Sequence, residues 1–338
     1  MSKDESPREL LENLPAMTAP VKAGALKAFS QLLGGLGTYI GAWVRRPTQA
    51  VEDKTDARSL ITKRIAEVAA ERAISDPEII GRALEKWLPS ELRKQENKEA
   101  IVSFALEGFV EAGADETGPS QSQQEIDDEW LNSFERFAED ASSERMQRLW
   151  AKVLNGEIMR PGSFGRSTLR FLHEMDKYTA QAFEEVACHV IGSQVFAPDD
   201  DQVLFNRLLH LDSAGAVSGV GGLVSWQITS DENGIFSIPG AKFGLVGLTT
   251  PNTEVTLPAP PLTRSGRELI KIVPNPDEEK TILSISEMLK KTTGFPQNNV
   301  KGTALAEMIV VAGQSKLRKV RDIWGDSPFS SITANGGS

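Results

Sequence analysis

The stretch EIMRPGSFGRSTLRFL, residues 157 to 172, holds residue types suited to phosphate chemistry. Gly162 and Gly165, Arg160 and Arg166, and the pair Ser167–Thr168 run ahead of an apolar helical pattern. A phosphate loop of the Walker type needs a glycine, four residues, then Gly-Lys-Ser/Thr, entered from a strand. Its backbone amides must face the phosphates and its lysine must reach them. Here Arg166 follows Gly165, the position five before Gly165 is Arg160, and the preceding MQRLWAKVLNGEIM reads as a helix. The match fails at the glycine, at the lysine and at the strand. A turn between two helices explains more: Pro161 and Gly162 stop one helix, and Ser163 or Ser167 caps the next. Arg160, Ser163, Arg166 and Ser167 therefore stand as candidates for anion or interaction contact, because helix-start amides bind anions. They are not assigned catalysis.

The other reactive side chains do not form a pattern. His173, His189 and His210 fall in three predicted helices, and no two share the i, i+4 spacing of a helical metal pair. A metal site would need them to converge with a carboxylate such as Glu184 or Asp212, so no metal is assigned. Cys188 and His189 are chain neighbours, which on a helix point about 100° apart and do not face each other. Asp127–Asp128 and Asp199 to Asp201 lie in a linker and at a helix start, where negative charge is favourable in itself. No catalytic residue and no cofactor is assigned.

The chain that must position these residues has 338 of them, enough for two domains with cores. Hydrophobic content of 40%, charged content of 25% and a net charge of -10 are those of an acidic globular protein. Such a chain is a poor partner for nucleic acid unless its cations gather on one face. One cysteine forbids an internal disulfide and fits a reducing cytosol. The start, MSKDESPRELLENLP, lacks the order of a signal peptide.

The periodicity predicts a mainly α protein: helical bundle domains with a small winged-helix-like α+β module. Residues 1–20 read as a flexible tail and 21–114 as a helical region with a glycine-rich apolar segment. Residues 115–129, polar and rich in Gly, Pro, Ser and Gln, read as a linker. Residues 130–195 form a helical core, with Trp130 and Phe134 on one helix face and Trp150, Val153 and Leu154 on the next. Residues 196–275 form the winged-helix-like module. Residues 276–325 read as two C-terminal helices, the second over GTALAEMIVVAGQSKLRKVRDIWG, and 326–338 as a flexible tail.

Trp130, MQRLWAKVLNGEI and PGSFGRSTL, with ENKEAI at 96–101 and LTRSGRELI at 262–270, carry a resemblance. Residues from about 50 to 275 are similar to a bacterial family, the domain of unknown function numbered 2806. The resemblance implies a bacterial source and a shared fold, and brings no catalytic residue.

In the module, LLHLDSAGAV, strand-like segments and LTRSGREL follow the order of a winged helix, whose helix before the wing commonly reads DNA. That helix opens on Asp199, Asp200 and Asp201, which repel phosphates, against Arg207 and His210. Arg264, Arg267 and Lys271 offer only a weak patch elsewhere. Protein contact is expected, and tight duplex DNA binding is not. From Leu26 to Val44 the chain is apolar but broken by Lys27, Ser30, Gln31 and Thr38, short of a spanning helix. A buried hairpin or helix fits it. The alternative is membrane or oligomer contact through Gly37, Gly41 and Trp43, with Arg45 and Arg46 as interfacial anchors.

The expectation is a non-catalytic bacterial protein working through protein–protein contact with a partner or as a homo-oligomer. It would be cytoplasmic or peripheral at the inner membrane, with a role in phage defence. The alternatives are a winged-helix nucleic-acid-binding regulator and an enzyme whose site is assembled from scattered residues.

Overall fold

The computed structural model describes residues 19–33, 77–112, 125–197, 201–221, 225–273, 277–292, 299–311 and 314–329. Gly37, Gly41, Trp43 and most of the expected linker lie outside them. The chain divides into two compact units, Met1–His173 and Glu174–Ser338.

The described residues of the first unit are helical. Helix α1 (Ala19–Leu32) buries Val21, Ala25, Ala28, Phe29 and Leu32, a stripe at i, i+4, i+7, i+8 and i+11. Helix α2 (Pro77–Ala112) starts on a proline, where the missing N–H is not needed, and runs 36 residues. It continues through Pro89, which lies on an exposed side where water can satisfy the carbonyl that loses its partner. Helix α3 (Asp128–Ala138) is capped by Asp127, whose carboxylate accepts the Trp130 amide, and α4 (Glu144–Met159) by Ser143. Helix α5 spans Arg166–Glu174.

The apolar faces of these helices meet in an aromatic core. The Trp130 ring stacks on Phe134 at 5.2 Å, and Phe134 meets Trp150 edge-on at 5.2 Å. A polar seam joins α2 to α3: Lys98 to Glu135 at 2.8 Å, Lys94 to Glu139 at 2.7 Å, and the Asn97 amide to the Glu139 carbonyl at 2.8 Å.

The second unit mixes helices and strands. Helix α6 (Lys177–Ala187) leads to β1 (Val190–Ile191) and β2 (Gln194–Val195), then α7 (Gln202–Ala214). Strand β3 (Ser225–Thr229) pairs antiparallel with β6 (Glu254–Pro258), so that β4 (Ile235–Pro239) and β5 (Phe243–Leu248) are nested between them in sequence. Helices α8 (Arg264–Leu269) and α9 (Glu278–Thr292) precede β7 (Gly302–Val311) and β8 (Gln314–Gly325). The larger sheet has the order β4-β5-β7-β8, all antiparallel. Helix α9 lies against it and buries Ile282, Ile285 and Leu289 with Phe236, Ile238, Leu245 and Leu305.

The mainly α expectation is corrected: with nine helices and eight strands among the described residues, the protein is α+β. Two segments account for the change. Residues 302–325, read as a helix, form the β7–β8 hairpin. Ala304, Leu305 and Ala306 favour helix intrinsically, but here the sequence-distant partner β5 decides: Val246 pairs Ala304, and Ala304 and Ala306 are fully buried. The β-branched run Ile309-Val310-Val311 before Ala312-Gly313 was the hairpin signal that the apolar periodicity concealed. The winged-helix-like module of 196–275 is corrected with it. Its supposed wing, β4–β5, is half of a sheet completed by residues beyond 300.

Candidate functional site

The loop from Arg160 to Gly165 joins α4 to α5. It starts where α4 ends, with Arg160 at the C-cap and Gly162 in the left-handed region at φ 87°. Glu157, on the last turn of α4, is only 2% exposed. Its carboxylate turns into the loop and accepts the Gly162 amide at 2.6 Å and the Phe164 amide at 3.0 Å. Phe164 is in turn held by its carbonyl, which accepts the Trp130 indole N–H at 2.6 Å. Its ring lies on Gly156, where an added Cβ would come within 2.6 Å of the ring.

The loop therefore does bind an anion, and the anion is the chain's own. Two amides that could face a phosphate are taken by the buried Glu157 side chain. The same device recurs in the second unit. Glu278 accepts the amides of Ala241, Lys242 and Phe243. Asp212 accepts those of Gly219 and Val220. Asp231 accepts those of Asn233 and Ile235.

The residues singled out from sequence do not converge. The Ser163 hydroxyl donates to the Arg160 carbonyl at 2.6 Å, so it closes the turn rather than capping α5. The Thr168 and Leu169 amides donate to the Gly165 carbonyl, and Ser167 is exposed within the first turn of α5. Arg166 reaches Glu129 at 3.3 Å in an exposed ion pair worth little. The Arg160 side chain is exposed. Sequence reasoning quoted Glu157 without assigning it a role. Its signal was position: seven residues after Trp150 and three after Leu154, it lies on the apolar face of α4.

His173 lies against the Phe137 ring and carbonyl. His210 bonds the Thr179 hydroxyl at 2.8 Å and meets the Tyr178 ring edge-on. His189 has its Nδ1 buried without a hydrogen-bond partner, and burial holds its pKa below the ordinary value. Lys280 lowers it further and Asp201 opposes the shift. Among the described residues no three metal-binding side chains gather, and no helix is long and apolar enough to cross a membrane.

The stretch that carries this loop also matches a family model. Residues 81–206 match the family described as protein of unknown function DUF2806. No curated protein and no solved structure matches the chain. The DUF2806 match takes in α2 from its second turn, the Glu157 loop and the start of α7, and stops before LTRSGRELI and the four-stranded sheet.

Proposed function

We infer that this is a non-catalytic protein that acts through protein–protein contact, with a partner or a second copy seated on α7. The outward face of α7 carries the reading. Val203 is 63% exposed, Phe205 43% and Leu209 38%, while Leu204, Leu208 and Leu211 fill the core side. Phe205 and Leu209, one turn apart, share a face with Gln202, Asn206 and Ser213, bounded by Asp201 and Asp212, whose carboxylates accept backbone amides. Exposed aromatic and aliphatic side chains bounded by carboxylates suit a protein surface and offer nothing to phosphates. The helix's one arginine, Arg207, is engaged by Glu185.

A photo-crosslinking residue in place of Asn206 tests this in cells. The expected result is a discrete protein adduct, lost in a chain also carrying Phe205→Ser and Leu209→Ser. The absence of any protein adduct at that position sinks the reading. Peripheral membrane association and a part in phage defence complete the proposal. Their support in sequence is the part of the Leu26–Val44 segment with Gly37, Gly41 and Trp43, which lies outside the described residues, since residues up to Leu32 belong to α1 with Ala28, Phe29 and Leu32 buried. Cell fractionation and plaque counts with and without the gene test them.

A further inference from the structure

The β7–β8 hairpin outruns its sheet. Strand β5 pairs β7 only as far as Phe243 with Glu307. Beyond that point Met308 pairs Leu317, Ile309 pairs Lys316, Val310 pairs Ser315 and Val311 pairs Gln314, a ribbon with no third strand among the described residues. Its composition differs from the rest of the chain. From Met308 to Arg321 there is no carboxylate, in a protein of net charge -10, and the order is MIVVAG followed by QSKLRKVR. Val310 is 74% exposed near the tip.

The cations stand on both faces of the ribbon. Arg318 is paired opposite Glu307, and Arg321 reaches Glu279 of α9 at 3.0 Å, which places them on the α9 side. Lys319, opposite Ala306, reaches Asp322 at 2.6 Å on the other side. These pairs are exposed, so each is worth little and its cation can exchange one anion for another. Lys316, nearest the tip, is exposed, as is Lys242, whose carbonyl holds the Met308 amide.

Lysines and bulges on an edge strand also prevent edge-to-edge pairing. That accounts for Lys319 and Arg321, which flank the register shift where β8 borders the sheet. It does not account for a valine exposed at the projecting end.

We propose that the β7–β8 ribbon docks on an anionic lipid bilayer, with Val310 entering the acyl boundary and Lys316 and Arg318 at the headgroups. The dimensions agree. Interfacial segments bury their apolar part about 5–10 Å deep, and a strand rises about 3.3 Å per residue. Lys316 and Arg318 therefore stand about 3 and 10 Å behind the Val310–Ser315 pair. Apolar burial and cations at an anionic leaflet reinforce each other. A nucleic acid would satisfy the cations and leave the valine without a partner. The inference names the surface for the peripheral association proposed above and rests on that part of the reading. It is independent of α7.

The test is co-sedimentation of the full chain with vesicles of phosphatidylcholine alone and of phosphatidylcholine mixed with phosphatidylglycerol. The chain is expected to pellet with the mixed vesicles and not the neutral ones, and less so as salt rises. Val310→Asp, at an exposed site, should abolish binding with the circular dichroism spectrum unchanged. Lys316→Ala should weaken it about fivefold, the worth of one cation near such a surface. Binding that survives both substitutions overturns the ribbon and leaves peripheral association standing. No binding by the unaltered chain overturns both. Binding to duplex DNA without binding to vesicles overturns the lipid assignment.

Discussion

The Glu157 carboxylate accepts the Phe164 amide at 3.0 Å, seven residues further along the chain, and both residues are buried. This bond, with its companion to Gly162, turns the end of α4 into the start of α5. Hydrogen bonds to a buried charge are stronger than neutral ones. In Glu157→Gln the side chain can still accept one amide but directs its own N–H₂ at the other. The variant should lose about 2 kcal/mol of stability, read as a lower urea midpoint with an unchanged slope. An unchanged midpoint would show that the loop holds without the latch.

Gly156 gives a test of opposite sign to helix propensity. Glycine to alanine inside a helix ordinarily stabilises by about 1 kcal/mol. Here the new methyl meets the Phe164 ring, held by both its amide and its carbonyl. Gly156→Ala should therefore destabilise, by about 1–3 kcal/mol. A higher thermal midpoint for the variant would refute the packing of Phe164 on α4.

His189 sets a pH dependence. Burial, the largest cause, holds its pKa below 6.5 in the folded protein; Asp201 opposes it, and Lys280, the smallest cause, adds to it. The unfolded chain then binds more protons as pH falls through the ordinary histidine range. The stability that His189 contributes is complete above that range and is lost on acidification toward the folded value. Urea midpoints should fall between about pH 7.5 and pH 5.5, and His189→Gln should flatten that fall. An equal fall in the variant would assign it to other groups.

Tight binding to duplex DNA is not expected. Helix α7 opens at Asp201, which caps the Leu204 amide, and its arginine is engaged by Glu185. Fluorescence anisotropy on mixed-sequence duplex at about 150 mM salt should show no affinity tighter than about 10⁻⁶ M. Submicromolar binding, lost on Arg207→Ala, would restore the regulator reading.

What the sequence determined by itself is what acts within a turn or two of chain. PGSFG had to be a turn, because Pro161 ends a helix and Gly162 takes a positive φ. Trp130, Phe134, Trp150, Val153 and Leu154 were core by helical spacing, and they are buried. The failed match to a Walker loop was equally local. The tertiary structure decided the rest. A carboxylate on an apolar face is an anomaly until the amides that neutralise it come from the far side of a turn, as Gly162 and Phe164 do for Glu157. A strand depends still more on distance, because half of its hydrogen bonds belong to another segment. Residues 302–311 carry helix formers and strand formers in one run, and β5, more than fifty residues earlier, selects the strand.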